Sequence, residues 1–434
     1  MPMRPARVRN ELAILGGEPE ISEPLAPFNR IGEEERAAAE RVLEGGVLSG
    51  FIGEPGVEFD GGPELLALEE AWRRTFGVRH AVTVNSATSG LTAAMGAARV
   101  GPGDEVILPP YTMSATAMAP LIYGGIPVFA DIEPETFTID PERVRQAITD
   151  KTRAILAVNL FGHPARLGEL RAIADENGLV LVEDNAQAPL ATEHGRYAGT
   201  VGHIGVFSLN RHKHIQTGEG GVVVSDDDDL ALRLKLIRNH GENLIEAFGV
   251  ADLTNLVGFN YRLTEVAAAI GRAQLNKAEE IIGERIGYAT RLSEGLCDLP
   301  GLTPPVVRER CRHVYYVWPA RYDAQVVGAS RDAFARALAA EGVPINQGYV
   351  KPLHLLPVFQ RRIAIGRQGF PLSLTNRTYA QGLCPIAERM HEKEELGFGI
   401  CVFELSEAIV EKLISAFRKV YDNRDRLAGL DDAA

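Results

Sequence analysis

Cysteine is scarce: Cys297, Cys311, Cys384 and Cys401 are all that 434 residues contain, and no two form a CxxC pair. That excludes a zinc knuckle and a thioredoxin-type motif, and no metal site is expected. Few cysteines and no apolar leader after Met1 give a cytoplasmic location as the expectation. Long apolar runs are missing too. The longest mostly apolar stretch, residues 117–130, is broken by Pro120, Gly124, Gly125 and Pro127, whereas a membrane span needs about 20 apolar residues. Positive charge is in deficit, with 45 Lys plus Arg against 58 Asp plus Glu and a net charge of −13. A general nucleic-acid or anionic-membrane binder needs the opposite sign. The phosphate loop GxxxxGK[ST], a GxGxxG after the first strand, HExxH and GxSxG are all absent, which removes the usual supports of nucleotide hydrolysis, dinucleotide redox, zinc proteolysis and serine hydrolysis.

What is present is the texture of a packed enzyme, 45% hydrophobic and 24% charged, in a chain too long for one core. Between residues 81 and 224 short β-branched runs alternate with helical patterns: AVTVN at 81–85, EVIL at 105–108, PVFAD at 127–131, AILAVN at 154–159 and LVLVED at 179–184. They recur about every 25 residues, one strand–helix–strand unit each. Continuous apolar strands suit a sheet buried on both faces, so a large doubly wound α/β domain with a mainly parallel sheet is expected. Helices are expected over 88–99, 167–176 and 226–239, the last stopped by His240-Gly241. Asp226 to Asp229 suit that helix's dipole better than a metal. From about residue 291 the pattern becomes α+β, with strand-like runs at 314–319 and 343–350, a helix at 331–340 and a last helix capped by Ser406. The reading divides the chain into an N-terminal surface arm (1–30), a large domain (31–290) and a small C-terminal α+β domain (291–434).

Three local motifs carry the chemistry. NSATSG at 85–90 joins a strand to a helix, and free backbone N–H groups there, beside the Ser86 and Thr88 hydroxyls, make a phosphate seat. EDNAQ at 183–187 ends a strand with a carboxylate, and Asp184 at the mouth of a buried strand requires a cation or donors. A protonated pyridine nitrogen meets that need, with Gln187 near the ring's hydroxyl. FSLNRHKHIQTGEGG at 207–221 sets Lys213 between a strand bearing Ser208 and a glycine-rich turn that lets backbone approach a ligand closely.

Together with the stretch from Tyr111-Thr112 to Asp131 and GFNYRLTE at 258–265, these motifs resemble the DegT/DnrJ/EryC1/StrS family of sugar aminotransferases dependent on pyridoxal 5′-phosphate (PLP), a fold type I group. The resemblance runs from about Leu12 to the final helix. It implies that Lys213 carries PLP as a Schiff base and acts as the catalytic base, and that Asp184 pairs with the pyridinium nitrogen. It implies further that Gln187 lies near the ring hydroxyl, that Ala87, Thr88 and Ser208 bind the phosphate, and that Asn260 completes the phosphate site of a neighbouring subunit. A homodimer with shared active sites follows. Two positions depart from the family: Ala87 stands where glycine is usual, and Met113 where an aromatic ring commonly stacks on the cofactor, a smaller cover for the ring face.

The implied reaction moves an amino group from an amino acid, glutamate or glutamine, to a keto-sugar, nucleotide-linked keto-sugar or keto-cyclitol. Alternatives are a sugar dehydratase, which has histidine in place of the lysine, an aminohydroxybenzoate synthase, and a non-catalytic sensor. Counting back five from Gly218 selects Lys213 over the flanking His212 and His214, which are expected on the far side of an extended segment. The run at 348–354 resembles the family's acceptor-side loop and makes Lys351 and His354 candidate substrate residues. CPIAE at 384–388 looks closer to the cyclitol and aminobenzoate branches.

Overall fold

A computed structural model of the chain describes residues 11–427. Seven strands form the central sheet in the order β1-β9-β8-β5-β4-β2-β3. They are β1 (His80–Val84), β2 (Glu105–Leu108), β3 (Ile126–Phe129), β4 (Thr152–Val158), β5 (Val180–Asp184), β8 (Ile204–Ser208) and β9 (Gly221–Ser225). Adjacent pairs from β8 through β5, β4 and β2 to β3 are parallel. The sheet is therefore mainly parallel, as expected, but β9 runs antiparallel to both β8 and β1. Residues 209–220 between β8 and β9 contain no helix, and a parallel return would need one. That helix-free connection stays at the carboxyl end of β8 and carries Lys213.

β2, β3, β8 and β9 are buried along their full length, because helices cover both faces and two apolar clusters fill the layers between. Helix Ala87–Ala97 packs closely against β8 and β9. A Cβ on its Gly90 would come within 2.9 Å of Val206 and Val223, and one on Gly221 within 2.8 Å of the Ala87 nitrogen. Glycine at both places lets the helix start sit against β9. Helix Asp228–Arg238 is capped by Asp227, and the left-handed residue after it is His240, not Gly241. The glycine instead packs where a Cβ would meet Leu236 at 2.4 Å.

A hairpin of β6 (Thr192–Glu193) and β7 (Arg196–Tyr197) joins β11 (Cys311–Arg312) in a small sheet. β10 (Leu302–Thr303), β12 (Trp318–Tyr322), β14 (Glu395–Phe398) and β13 (Ile345–Gln347) form an antiparallel sheet in that order. The expected strand at 314–319 begins only at Trp318, since Val314 and Tyr316 donate their N–H groups to Gly162 and Phe161 of the large sheet's loops. Helices Arg331–Ala340 and Glu407–Asp422, the latter capped by Ser406, close this layer. The first ten residues of the expected surface arm lie outside the described residues. Its remainder is not all on the surface: Leu12 and Ile21 are buried in the C-terminal core, with the Ala13 and Glu20 N–H groups on the Glu341 carboxylate.

Candidate active site

Strand ends and the segments that follow them converge at the carboxyl edge of the large sheet. Asp184 ends β5, Ser208 ends β8, Ser86 and Ala87 follow β1, and Thr112 and Met113 follow β2. Open α/β sheets bind ligands at this edge. A cavity of about 300 Å³ is lined there by Ala87, Thr88, Met113, Asp184, Gln187, Ser208 and Lys213, and also by His212, Tyr316 and Tyr349. The structure thus brings together seven of the residues named from sequence. It does not bring Asn260, Lys351 or His354 to the cavity.

Two adjacent carboxylates at the end of β5 are treated differently. Glu183 is fully buried and accepts from the N–H groups of Gly199, Val201 and Gly202 and from Asn159 Nδ2, at 2.6–3.0 Å. It is satisfied by the protein. Asp184 accepts only from Thr116 Oγ1 at 3.0 Å and the Ala186 N–H at 3.2 Å, and has no cation at ion-pair distance among the described residues. Burial raises the proton affinity of its carboxyl, those two donors and the Lys213 charge acting against it. A buried, cavity-facing carboxylate lacking a cation fits a protonated pyridine nitrogen.

Lys213 lies in a turn, its N–H on Asn210 O, and not in an extended segment. Burial lowers the proton affinity of its amine, opposed by Asp184 and Cys401. Of its neighbours, His212 lines the cavity. His214 points away and is fully buried, its Nδ1 accepting from Arg285 at 2.7 Å and its Nε2 facing Gln187 O at 3.3 Å. Burial, with the Arg285 charge adding to it, holds that imidazole well below its ordinary range, so it stays neutral.

At the other end of the cavity, helix Ala87–Ala97 presents its first turn. Ser86 Oγ is spent on capping, accepting from the Ser89 N–H at 3.1 Å. Among the described residues the N–H groups of Ala87 and Thr88 make no hydrogen bond, and Ser208 Oγ accepts from Asn210 at 3.3 Å with its own proton free. Unspent helix N-terminal donors beside a hydroxyl fit a phosphate. Gln187 is fixed between the Phe161 N–H (2.7 Å) and the Tyr349 hydroxyl (2.9 Å). Met113 is 57% exposed at the cavity mouth.

Asn260 lies on an exposed loop beside the end of β1, its side chain accepting from Arg262 Nε at 2.9 Å. Lys351 is exposed on the loop formed by residues 348–354. His354 is placed elsewhere than sequence suggested: it is fully buried against Phe129, its Nε2 on Glu388 Oε1 at 2.8 Å. CPIAE at 384–388 is likewise structural, its Ile386 and Ala387 N–H groups donating to Asp131. Thr116, Tyr316 and Tyr349 escaped the sequence reading. Thr116 sits within the stretch from Tyr111 to Asp131, but its contact with Asp184 spans 68 positions and leaves no local signal.

A mainly parallel sheet with a lysine, a carboxylate and a helix N-terminus at its carboxyl edge is the architecture of fold type I aminotransferases. The sequence profile of the DegT/DnrJ/EryC1/StrS aminotransferase family matches residues 30–395, and the chain belongs to that family. It is 31% identical to the spore coat polysaccharide biosynthesis protein SpsC of Bacillus subtilis over 363 residues, 82% of this chain and 90% of that protein. GDP-perosamine synthase of Caulobacter vibrioides is 33% identical over 296 residues, 68% of this chain and 78% of that one. Among solved structures, DesI crystallised in the presence of its TDP-sugar product superposes with a TM-score of 0.80 at 30% identity, covering 98% of this chain and all of that chain.

Proposed function

We propose that the chain is a PLP-dependent aminotransferase that transfers the amino group of glutamate or glutamine to a keto-sugar, nucleotide-linked keto-sugar or keto-cyclitol. The observation carrying this reading is the placement of Lys213 and Asp184 on one cavity, neither in an ion pair among the described residues. PLP, when bound, supplies an electron sink for the carbanion left when the donor loses its α-proton, and stores the amino group between the two half-reactions. Lys213 holds the cofactor and, once its amine is free, takes the donor's α-proton on Nζ. Burial makes that role accessible, because it favours the neutral amine. Asp184 keeps the ring nitrogen protonated. Ala87, Thr88 and Ser208 bind the phosphate, Gln187 orients the ring hydroxyl, and Met113 covers the ring face.

A lysine on the cavity with His214 turned away onto Arg285 supports amino transfer over dehydration. An intact lysine and aspartate likewise speak against a sensor. The names of SpsC, GDP-perosamine synthase and DesI support a sugar acceptor.

The working unit in this reading is a homodimer in which Asn260 serves the partner's phosphate site. Its support is the exposure of apolar side chains on the two segments that Asn239 ties together through Ile52 O, Phe59 O and its bridge to Asn260: Val57 and Val257 are 86% and 60% exposed. We read residues 31–290 and 291–434 as the two domains and the cytoplasm as the location. All four cysteines are free, and among the described residues no helix is long and apolar enough to cross a membrane.

The test is direct. Purified protein loaded with PLP and given glutamate or glutamine should lose its visible absorption and release the 2-oxo acid, and a keto-cyclitol or nucleotide-linked keto-sugar should restore the band. Absence of amino transfer to every acceptor of these classes contradicts the reading.

A further inference from the structure

Lys213 is half-buried on the cavity wall, yet among the described residues its Nζ has neither a hydrogen-bond acceptor nor a carboxylate at ion-pair distance. What it meets is the face of Tyr316, with Nζ 4.4 Å from the ring centroid. The charged and titratable groups around it pull in different directions. Asp184 and Cys401 favour the ammonium, while burial opposes it. His212 and His214 flank the lysine and are both held below their ordinary range, chiefly by burial, with the Lys213 charge adding to the effect. The His214 imidazole is turned onto Arg285 and is not placed to take the proton that Lys213 carries.

Tyr316 is fixed from both sides through its main chain. Its N–H donates to Phe161 O at 2.7 Å and its carbonyl accepts from the Cys401 N–H at 3.3 Å. Phe161 occupies a left-handed turn (φ 59°), and its own N–H is held by Gln187 Oε1. The ring is therefore anchored to the turn that also anchors a cofactor-side residue. Burial pushes the Tyr316 phenol up, so it stays neutral and its face remains an electron-rich surface.

We propose that Tyr316 is the positioning residue for Lys213 whenever the lysine amine is unattached: the ring face receives the ammonium and keeps Nζ at the cavity. The proposal rests on the reading of Lys213 as the reacting lysine. A lysine released from a covalent bond has four rotatable bonds and no carboxylate to seize it, and the ring quadrupole offers a charge-specific resting place that costs little to leave. Held there after it has taken the proton, the protonated amine stays within reach of the carbon to which it must return it. The ring performs this role and the hydroxyl does not.

The experiment uses cofactor-free protein, labelled with trace acetic anhydride across a pH series, with acetylation of the Lys213 peptide measured by mass spectrometry. The plateau at high pH reads access to the amine, and the position of the profile reads stabilisation of the ammonium. Tyr316→Phe is expected to superpose on the wild type. Tyr316→Leu is expected to raise labelling on the rising limb, relative to its own plateau, by about two- to five-fold. A ring-fluorinated phenylalanine at position 316 keeps the shape and cancels the quadrupole, so it should move the profile in the same direction even if the leucine variant folds poorly. Profiles of the leucine and fluorinated proteins that coincide with the wild type overturn the proposal, as does a Tyr316→Phe profile displaced as far as that of Tyr316→Leu. Because no cofactor is present, the outcome is independent of whether Lys213 reacts with PLP, and failure of the functional reading remains distinguishable.

Discussion

Thr116 Oγ1 donates to Asp184 Oδ2 at 3.0 Å, the only side-chain hydrogen bond that the Asp184 carboxylate receives among the described residues. A donor to the ionised form keeps the carboxylate charged and aimed at the cavity. Thr116→Val, nearly isosteric, should leave the unfolding midpoint close to that of the wild type. PLP affinity should fall by about tenfold, the scale of one hydrogen bond to a charged group, and Thr116→Ser should restore it. Equilibrium titration of the cofactor-free protein with PLP measures both.

His354 and Lys351 separate a packing role from a substrate-binding role for the loop at 348–354. The buried bond between His354 Nε2 and Glu388 assigns the histidine a packing role, so His354→Leu should cost about 1–3 kcal/mol of stability with KM for the acceptor unchanged. Lys351→Ala should leave the unfolding midpoint alone. Steady-state kinetics and urea unfolding on the same preparations decide. A raised acceptor KM with unchanged stability in the His354 variant would restore the substrate role.

The fold was legible where its signals are local. The strands that end at Val84, Phe129, Val158 and Asp184, within two residues of the ends expected at Asn85, Asp131, Asn159 and Asp184, the helix at 331–340 and the Ser406 cap are set by runs of neighbours, and so are the three motifs that meet at the cavity. The direction of β9 was not legible, because it depends on how the connection 209–220 returns. Asp184 announced a missing partner through its position alone, but the contrast with Glu183 required the three N–H groups of residues 199–202. Pairings such as Arg285 with His214, 71 positions apart, leave no periodic trace. His354 misled the sequence reading because a histidine in a family-like loop looks the same whether it faces a cavity or Glu388.

Glu395 supplies a pH dependence. Fully buried at the start of β14, its carboxyl is pushed up to about 8 by desolvation, with the Arg331 charge and the Gly348 N–H acting in the opposite direction. A carboxyl raised in the folded state contributes stability that is complete below its ordinary value of 4.5, declines above it, and is gone once the pH has risen through about 8. The slope is on the order of 1.4 kcal/mol per pH unit in that interval. Glu395→Gln removes the titration, so the difference in urea midpoint between variant and wild type should grow from pH 5 to pH 8 in favour of the variant and then level off. A difference independent of pH rejects the assignment.

The shared-site dimer predicts complementation. Asn260→Asp sets a carboxylate against the partner's phosphate and should weaken PLP retention, partly rescued by added PLP, whereas Lys213→Ala should be inactive at any PLP concentration. Differently tagged chains carrying one lesion each, purified as a mixed dimer, should recover about half the wild-type activity per dimer, because one of the two sites is then intact. Activity no higher than that of the separate variants means that Asn260 serves its own subunit.

The most direct test of the account is covalent. Holo-protein reduced with borohydride and digested should yield one peptide carrying the reduced cofactor on Lys213, and the adduct should vanish in Lys213→Ala while the variant remains folded. An adduct on another lysine, or none on the wild-type protein, would contradict the assignment of Lys213 as the residue that holds the cofactor.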